Sequence, residues 1–280
     1  MGTGDLSYEA IVNQNRLERE TKLRESDRSW LKLAGLFGLK PGVNTFGSDP
    51  GNDIVLPKPA PAVAGNFTLE DHSVRVSVAG GVTVTRNGEK LSQKVLRSDA
   101  DDAPDFLQLE DLTLLVIERG DRMLIRVWDQ DYSAFQEFDG LKYYNYIPGF
   151  RVEARFVAYA KPKVLKIDDV IDITHEIPHQ GCVLFRLGGR DHQLEAILGD
   201  DYMFLNFRDQ TNGDSTYPGG RFLVAGLPKM GRVTVDFNDA YNPPCAYTDF
   251  ATCPLPPIQN RLPLRIEAGE KLYREHSTHG

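Results

Sequence analysis

The pattern of apolar and polar positions changes period along this chain, and the change divides it. Over residues 6–30, Leu6, Ala10, Ile11, Leu17 and Leu23 recur at helical intervals among Arg16, Glu18, Arg19, Glu20, Lys22 and Arg24. That spacing predicts one helix, so charged that it must dock on something to be stable. Beyond Trp30 the helical period fades and a period of two replaces it. Residues 73–78 and 82–85 alternate apolar with polar side chains, the mark of half-buried strands. Asn87-Gly88 then signals a tight hairpin turn, and residues 112–117 and 123–127 flank a second turn at Gly120. The aromatic-rich stretch 132–150 reads as a connection between domains. Strands resume at 151–159, 182–187, 193–198, 202–207, 221–225 and 233–237. The expected fold class is all-β: a helix within 1–30, a β-sandwich over 31–130, and a second antiparallel β-barrel or curled sheet over 131–280.

Composition narrows the function classes. The 280 residues hold 32 Lys plus Arg against 40 Asp plus Glu, a formal charge of −8. The basic footprint that nucleic acid requires is missing, so no nucleic-acid partner is expected. Residues 201–280 carry 8 basic and 9 acidic side chains, so nearly all the acidity lies in the first 200. No run of about 18 apolar residues exists, and no membrane-spanning helix is expected. The first residues lack a basic stretch leading into an apolar one. A cytoplasmic protein is therefore expected, or a secreted one if a leader precedes the sequence as given. Three cysteines, Cys182, Cys245 and Cys253, are too few and too odd for a disulfide framework, so reduced, buried thiols are expected. No cofactor is implied.

Two motifs invite chemistry and are better read plainly. His175-Glu176-Ile177-Pro178-His179 spells the zinc-protease string, which needs both histidines on one helix face. Pro178 would break that turn. On a strand the two rings would lie about 13 Å apart, too far for one ion. A chance match on a loop is expected, and no metal. The acidic group Asp99, Asp101, Asp102 and Asp105 lacks the glycine and closing glutamate of a calcium loop, is interrupted by Pro104, and reads as a solvated loop.

The front of the β region has a family look. Thr45-Phe46-Gly47-Ser48 followed by Gly51-Asn52-Asp53-Ile54-Val55-Leu56 resembles the opening strands of forkhead-associated (FHA) domains, β-sandwiches that read phosphothreonine. Phosphate binding in that family relies on an Arg after the early Gly and on a Ser-x-x-His motif. Here Ser48 stands in place of the Arg, and Pro57-Lys58-Pro59-Ala60-Pro61 runs where the Ser and His belong. Without an Arg fork a phosphate has no bidentate donor. The resemblance thus implies an FHA-like scaffold without phosphopeptide recognition, which still offers a surface for a protein partner.

The densest polar block lies between Phe207 and Lys271. It runs through Thr216-Tyr217-Pro218-Gly219-Gly220-Arg221, Asp236-Phe237-Asn238-Asp239-Ala240-Tyr241-Asn242-Pro243-Pro244-Cys245 and Cys253-Pro254-Leu255-Pro256-Pro257-Ile258-Gln259-Asn260-Arg261, and closes at Ala268-Gly269-Glu270-Lys271. This block resembles the signature of DUF1684, a bacterial and archaeal family of unknown function, over roughly residues 130–275. The resemblance supplies no activity. Five of the 17 prolines fall between Pro243 and Pro257, so the segment must be an ordered loop rather than helix or central strand. Gly219-Gly220 permits a backbone angle or a close approach closed to other residues.

Two readings of the block compete. In the functional one, the loop and the Gly-Gly-Arg turn wall a pocket for a small anionic molecule or peptide. Arg221 and Arg261 grip the anion beside Asp236, Asn238, Tyr241, Asn242 and Asn260. An enzyme version, a hydrolase or transferase, uses Asp236 or Glu270 as acid or base with Tyr241, and Cys245 is a nucleophile without a nearby histidine. In the structural reading the same groups satisfy the backbone of a strandless loop, with a buried Arg paired to an Asp.

Overall fold

A computed structural model describes residues 7–274; Leu6, where the expected helix begins, lies outside the described residues. These residues fall into two compact units. One is Leu23–Phe138, and the other joins the stretch ending at Lys22 to the stretch beginning at Asp139. None of the described helices is long and apolar enough to cross a membrane.

The helix, α1 (Tyr8–Glu25), is shorter than its expected span. Its inner stripe is not the apolar one the sequence suggests. Tyr8, Val12, Arg16, Arg19 and Leu23 follow one another at helical spacing and are buried or half-buried, whereas Ile11 and Leu17 are exposed. Two arginines thus face the part of their own unit that begins at Asp139. Arg16 lies over the Tyr143 ring at 4.6 Å and Arg19 over the Tyr241 ring at 4.3 Å, so cation–π contacts replace the apolar ones.

In the Leu23–Phe138 unit two sheets pack face to face. The strands are β1 (Leu33–Gly38), β2 (Gly42–Gly47), β3 (Ile54–Val55), β4 (Gly65–Glu70), β5 (Ser73–Val78), β6 (Val84–Arg86), β7 (Glu89–Leu91), β8 (Gln93–Leu96), β9 (Leu107–Leu109), β10 (Leu112–Arg119) and β11 (Arg122–Asp129). One sheet has the order β1-β11-β10-β9-β6-β7 and the other β3-β2-β4-β5-β8. Phe46 and Phe67, stacked at 4.5 Å, meet Leu107, Leu109, Leu114 and Ile125 in a shared core. The Asn87-Gly88 and Gly120 turns fall where expected, joining β6 to β7 and β10 to β11. The acidic group is not simply solvated. Asp105, on the loop between β8 and β9, is fully buried: it receives the Arg86 and Arg97 guanidinium groups and accepts from the Arg97 N–H at 3.0 Å.

The other unit is one six-stranded antiparallel sheet. Its strands are β12 (Arg151–Asp168), β13 (Thr174–Leu187), β14 (Arg190–Leu198), β15 (Tyr202–Phe207), β16 (Arg221–Gly226) and β17 (Arg232–Asp236), in the order β16-β15-β14-β13-β12-β17. The end strands β16 and β17 come together, so the sheet curls into a nearly closed barrel around Val183, Leu194, Leu205, Leu223, Val235 and Phe237. The stretch expected to be only a connection is partly bound to this sheet's C-terminal segment: Tyr144 N–H donates to Gly269 O at 3.0 Å, and Tyr143 bridges Glu270.

His175 to His179 lie on β13 rather than on a loop, a correction with a clear cause. Residues 174–179 pair with β12 alone, since β14 joins only from Gly181, so Pro178 sits on an open strand edge that needs no donor. The two rings have separate roles: His175 Nε2 meets Asp169 Oδ2 at 2.9 Å, and His179 Nδ1 meets Ile177 O at 3.0 Å. Among the described residues no cluster of three His, Cys, Asp or Glu side chains is set to hold a metal ion.

Candidate functional site

The polar residues of the signature block do not form one site. They divide into four groups, each explained by the backbone it satisfies. Arg221, at the start of β16, is fully buried. Its Nη2 donates to Asp209 Oδ2 at 2.7 Å and to Ile266 O at 2.8 Å, and its Nη1 donates to Ala268 O. These donors are used inside the protein, where they hold the strandless segment 266–270 against the sheet. Gly220, just before it, has φ of +98°, and a Cβ there would stand 2.7 Å from Phe207 O, which is why this turn is glycine.

The second group gathers Glu270, Asn242 and Tyr241. Glu270 is fully buried with both carboxylate oxygens taken: Oε1 receives Arg19, and Oε2 receives the Asn242 N–H and the Tyr247 hydroxyl at 2.8 Å each. Burial raises the Tyr247 and Tyr241 hydroxyls above the ordinary phenol range. The third group is Asp236 with Asn238. Asp236 Oδ1 accepts from Asn238 N–H and Nδ2, while Asn238 also exchanges hydrogen bonds with both backbone groups of Ile147. Asp236 Oδ2 is buried 3.9 Å from the Arg151 guanidinium.

Asn260 and Arg261 stand apart from all of these. Asn260, fully buried, accepts from Glu195 N–H at 2.6 Å and donates to the carbonyls of Glu195 and Asn206, locking the end of the Pro-rich loop onto β14 and β15. Arg261 extends into solvent, its backbone in a bridge with Arg208. The Pro-rich loop before them is ordered as its prolines demand, with Leu255 N–H donating to Asp168 O and Val170 N–H to Cys253 O. All three cysteines are buried and form no disulfide, and Cys245 N–H meets Cys253 Sγ at 3.2 Å.

A concavity that no sequence motif marks lies on the outer face of the sheet. It encloses about 650 Å³. Arg155 of β12, Arg186 of β13 and Arg232 of β17 line it, with Glu153, Asp191 and Gln193. Strand pairing explains its charge. Arg155 stands directly opposite Arg232 across the β12–β17 ladder, and its neighbour on the other side is Leu184. Like charges in that position repel. The acids in the lining have other partners: Asp191 meets Arg186 at 3.3 Å within the same concavity, and Glu153 accepts from the Thr234 hydroxyl at 2.7 Å. Among the described residues no carboxylate pairs with Arg155 or Arg232.

Beyond Gln193 the same face becomes buried. Glu195 receives the Tyr159 hydroxyl and the Lys163 ammonium at 2.8 Å each. His179, whose Nε2 has no partner, is close enough to sense both Glu195 and Lys163. Because a carbonyl only accepts, His179 Nδ1 carries the hydrogen toward Ile177 O. Burial holds its pKa below the ordinary histidine value, although that hydrogen bond opposes the shift. The unfolded chain therefore binds a proton that the folded one refuses, and stability falls as the pH drops below about 6.5. Thermal unfolding followed from about pH 7.5 to about pH 5.5 should show a smaller loss of Tm in His179→Gln than in the parent.

The model of the DUF1684 family, described as protein of unknown function, matches residues 136–271. An uncharacterised protein from Haloarcula marismortui, solved by NMR in solution, is 35% identical over 51% of this chain and 82% of its own, with a TM-score of 0.44. The FHA domain of FhaA, from the crystal structure of a complex, is 14% identical over 32% of this chain and 96% of its own, with a TM-score of 0.24. An FHA domain from work on phosphothreonine-dependent interactions gives 14% identity, 32% and 91% coverage, and a TM-score of 0.24. No curated protein matches the chain.

Proposed function

This chain belongs to the DUF1684 family, whose function is unknown, and we propose that it is a binding module for a small anionic molecule. The site is the concavity around Arg155 and Arg232 rather than the signature loop. One observation carries the reading: two arginines without a carboxylate partner face each other across a ladder and line a cavity of about 650 Å³. Keeping two like charges opposed costs stability, and a bound anion removes that cost by accepting from both. Arg186, already shared with Asp191, provides a third donor at the rim. Arginine suits this task because its fork gives parallel hydrogen bonds to phosphate or carboxylate.

Calorimetry with inorganic phosphate and with citrate tests the proposal. Binding is expected, weakening at raised ionic strength. Arg155→Ala and Arg232→Ala should each reduce affinity about tenfold to a hundredfold, the loss for one charge-assisted hydrogen-bonded group. Both side chains are exposed, so the variants should unfold at or above the parent temperature. Unchanged affinity in both would remove this site from consideration. By contrast, Arg221→Ala should lower stability whether or not anion is present.

A further inference from the structure

We propose that the sheet unit carries a second site, specific for a guanidinium group and built on Glu270, and that Arg19 of the chain's own helix is its displaceable occupant. The site is assembled without α1. Glu270 Oε2 is fixed by the Asn242 N–H and the Tyr247 hydroxyl, and Glu270 N–H donates to Ala240 O at 2.8 Å. These bonds leave Oε1 aimed at the cation. Asn242 O stands 3.0 Å and Tyr247 Oη 3.2 Å from Arg19 Nη2, and the Tyr241 ring faces the guanidinium carbon at 4.3 Å. A carboxylate, a carbonyl and a phenol around a planar cation, with an aromatic face against it, match a guanidinium far better than an ammonium.

The helix that delivers Arg19 fits less well than its guanidinium does. Ile11 and Leu17 are 40% and 61% exposed, and Val12 is the fully buried aliphatic side chain between Tyr8 and Lys22. Three buried polar atoms on or beside this contact have no hydrogen-bond partner: Arg16 Nε, Tyr143 Oη and Asn242 Oδ1. Unmet buried groups weaken an interface. What is recognised closely is therefore the cationic head group, and the helix backbone behind it is held by little apolar surface. A guanidinium from another source, either a free small guanidine or an arginine on a second polypeptide, satisfies the same four groups.

The test uses the full chain with Arg19→Ala, and Arg19→Gln as a second variant should the first fail to fold. Thermal unfolding is compared in methylguanidinium, methylammonium and sodium chloride at equal ionic strength. It is then repeated with a peptide of residues 8–25 and with its R19A form. The expected result is a rise of a few degrees with methylguanidinium in the variants and none in the parent, whose site is filled. A rise with methylguanidinium means that a free guanidine suffices. A rise with the arginine peptide alone, absent with its R19A form, assigns the site to an arginine presented on a polypeptide. Equal rises with methylguanidinium and methylammonium, equal responses of variant and parent, or no response to any probe would overturn the proposal. Adding Glu270→Gln to either variant should abolish the response.

Discussion

Asp209→Ala should destabilise the protein by about 3–5 kcal/mol, the cost of leaving a buried charge without its partner. For a protein of this size such a loss lowers Tm by roughly 10 °C. Asp209 Oδ2 is the carboxylate oxygen on the fully buried Arg221, and its Oδ1 accepts from the Thr211 N–H, the Thr211 hydroxyl and the Ile266 N–H. Removing it therefore strips one guanidinium and several donors at once. The remaining acceptors of Arg221 are neutral carbonyls, which cannot balance its charge. Adding Arg221→Met to Asp209→Ala should recover part of the loss, because removing both members of a buried pair costs less than removing one. A double variant less stable than Asp209→Ala would show that the carbonyl contacts of Arg221, rather than the ion pair, hold the segment in place.

The second large effect is expected at Gly269, where Ala should cost roughly 2–5 kcal/mol through overpacking and backbone strain together. Gly269 has φ of +76°, and a Cβ would stand 2.4 Å from Ala240 O and 2.9 Å from Ala240 Cβ. Neither contact can yield cheaply, since both neighbours belong to a tight turn whose Ala240 N–H donates to Phe237 O. The position matters because of what flanks it. Ala268 O accepts from Arg221, and Glu270 carries the guanidinium contact, so a shift here disturbs both. Urea denaturation of Gly269→Ala measures the loss, and a loss smaller than about 1 kcal/mol would mean that the segment can move.

The parts of this protein that the sequence discloses are those governed by one chain segment at a time. Alternation marks β5 because Val74 and Val76 are buried while Ser73 and Arg75 are exposed, and the turns at Gly88 and Gly120 need a positive φ that the local residues announce. The prolines from 243 to 257 likewise disclose an ordered loop. The first half of β13 is hidden because it pairs on one side only and carries polar residues and Pro178. The docking face of α1 is hidden for a different reason: a search for apolar periodicity passes over arginines that bury themselves against tyrosines. The arginine-lined concavity is least legible of all. Residues 155 and 232 become neighbours only through the β12–β17 register, and nothing near either one in the chain points to the other.

The ion pair between Arg19 and Glu270 joins residues 251 positions apart. During synthesis at about 5–20 residues per second, roughly 12–50 s separate the appearance of the two partners. An isolated helix of 18 residues is marginal in water, so α1 emerges ahead of the sheet that completes it. The whole Leu23–Phe138 unit is made in that interval and has its own core, so it can fold while the helix is still waiting. For that period Arg19 stays in water without its carboxylate, on a segment whose four basic and four acidic side chains balance, so one guanidinium rather than a net charge waits for its partner.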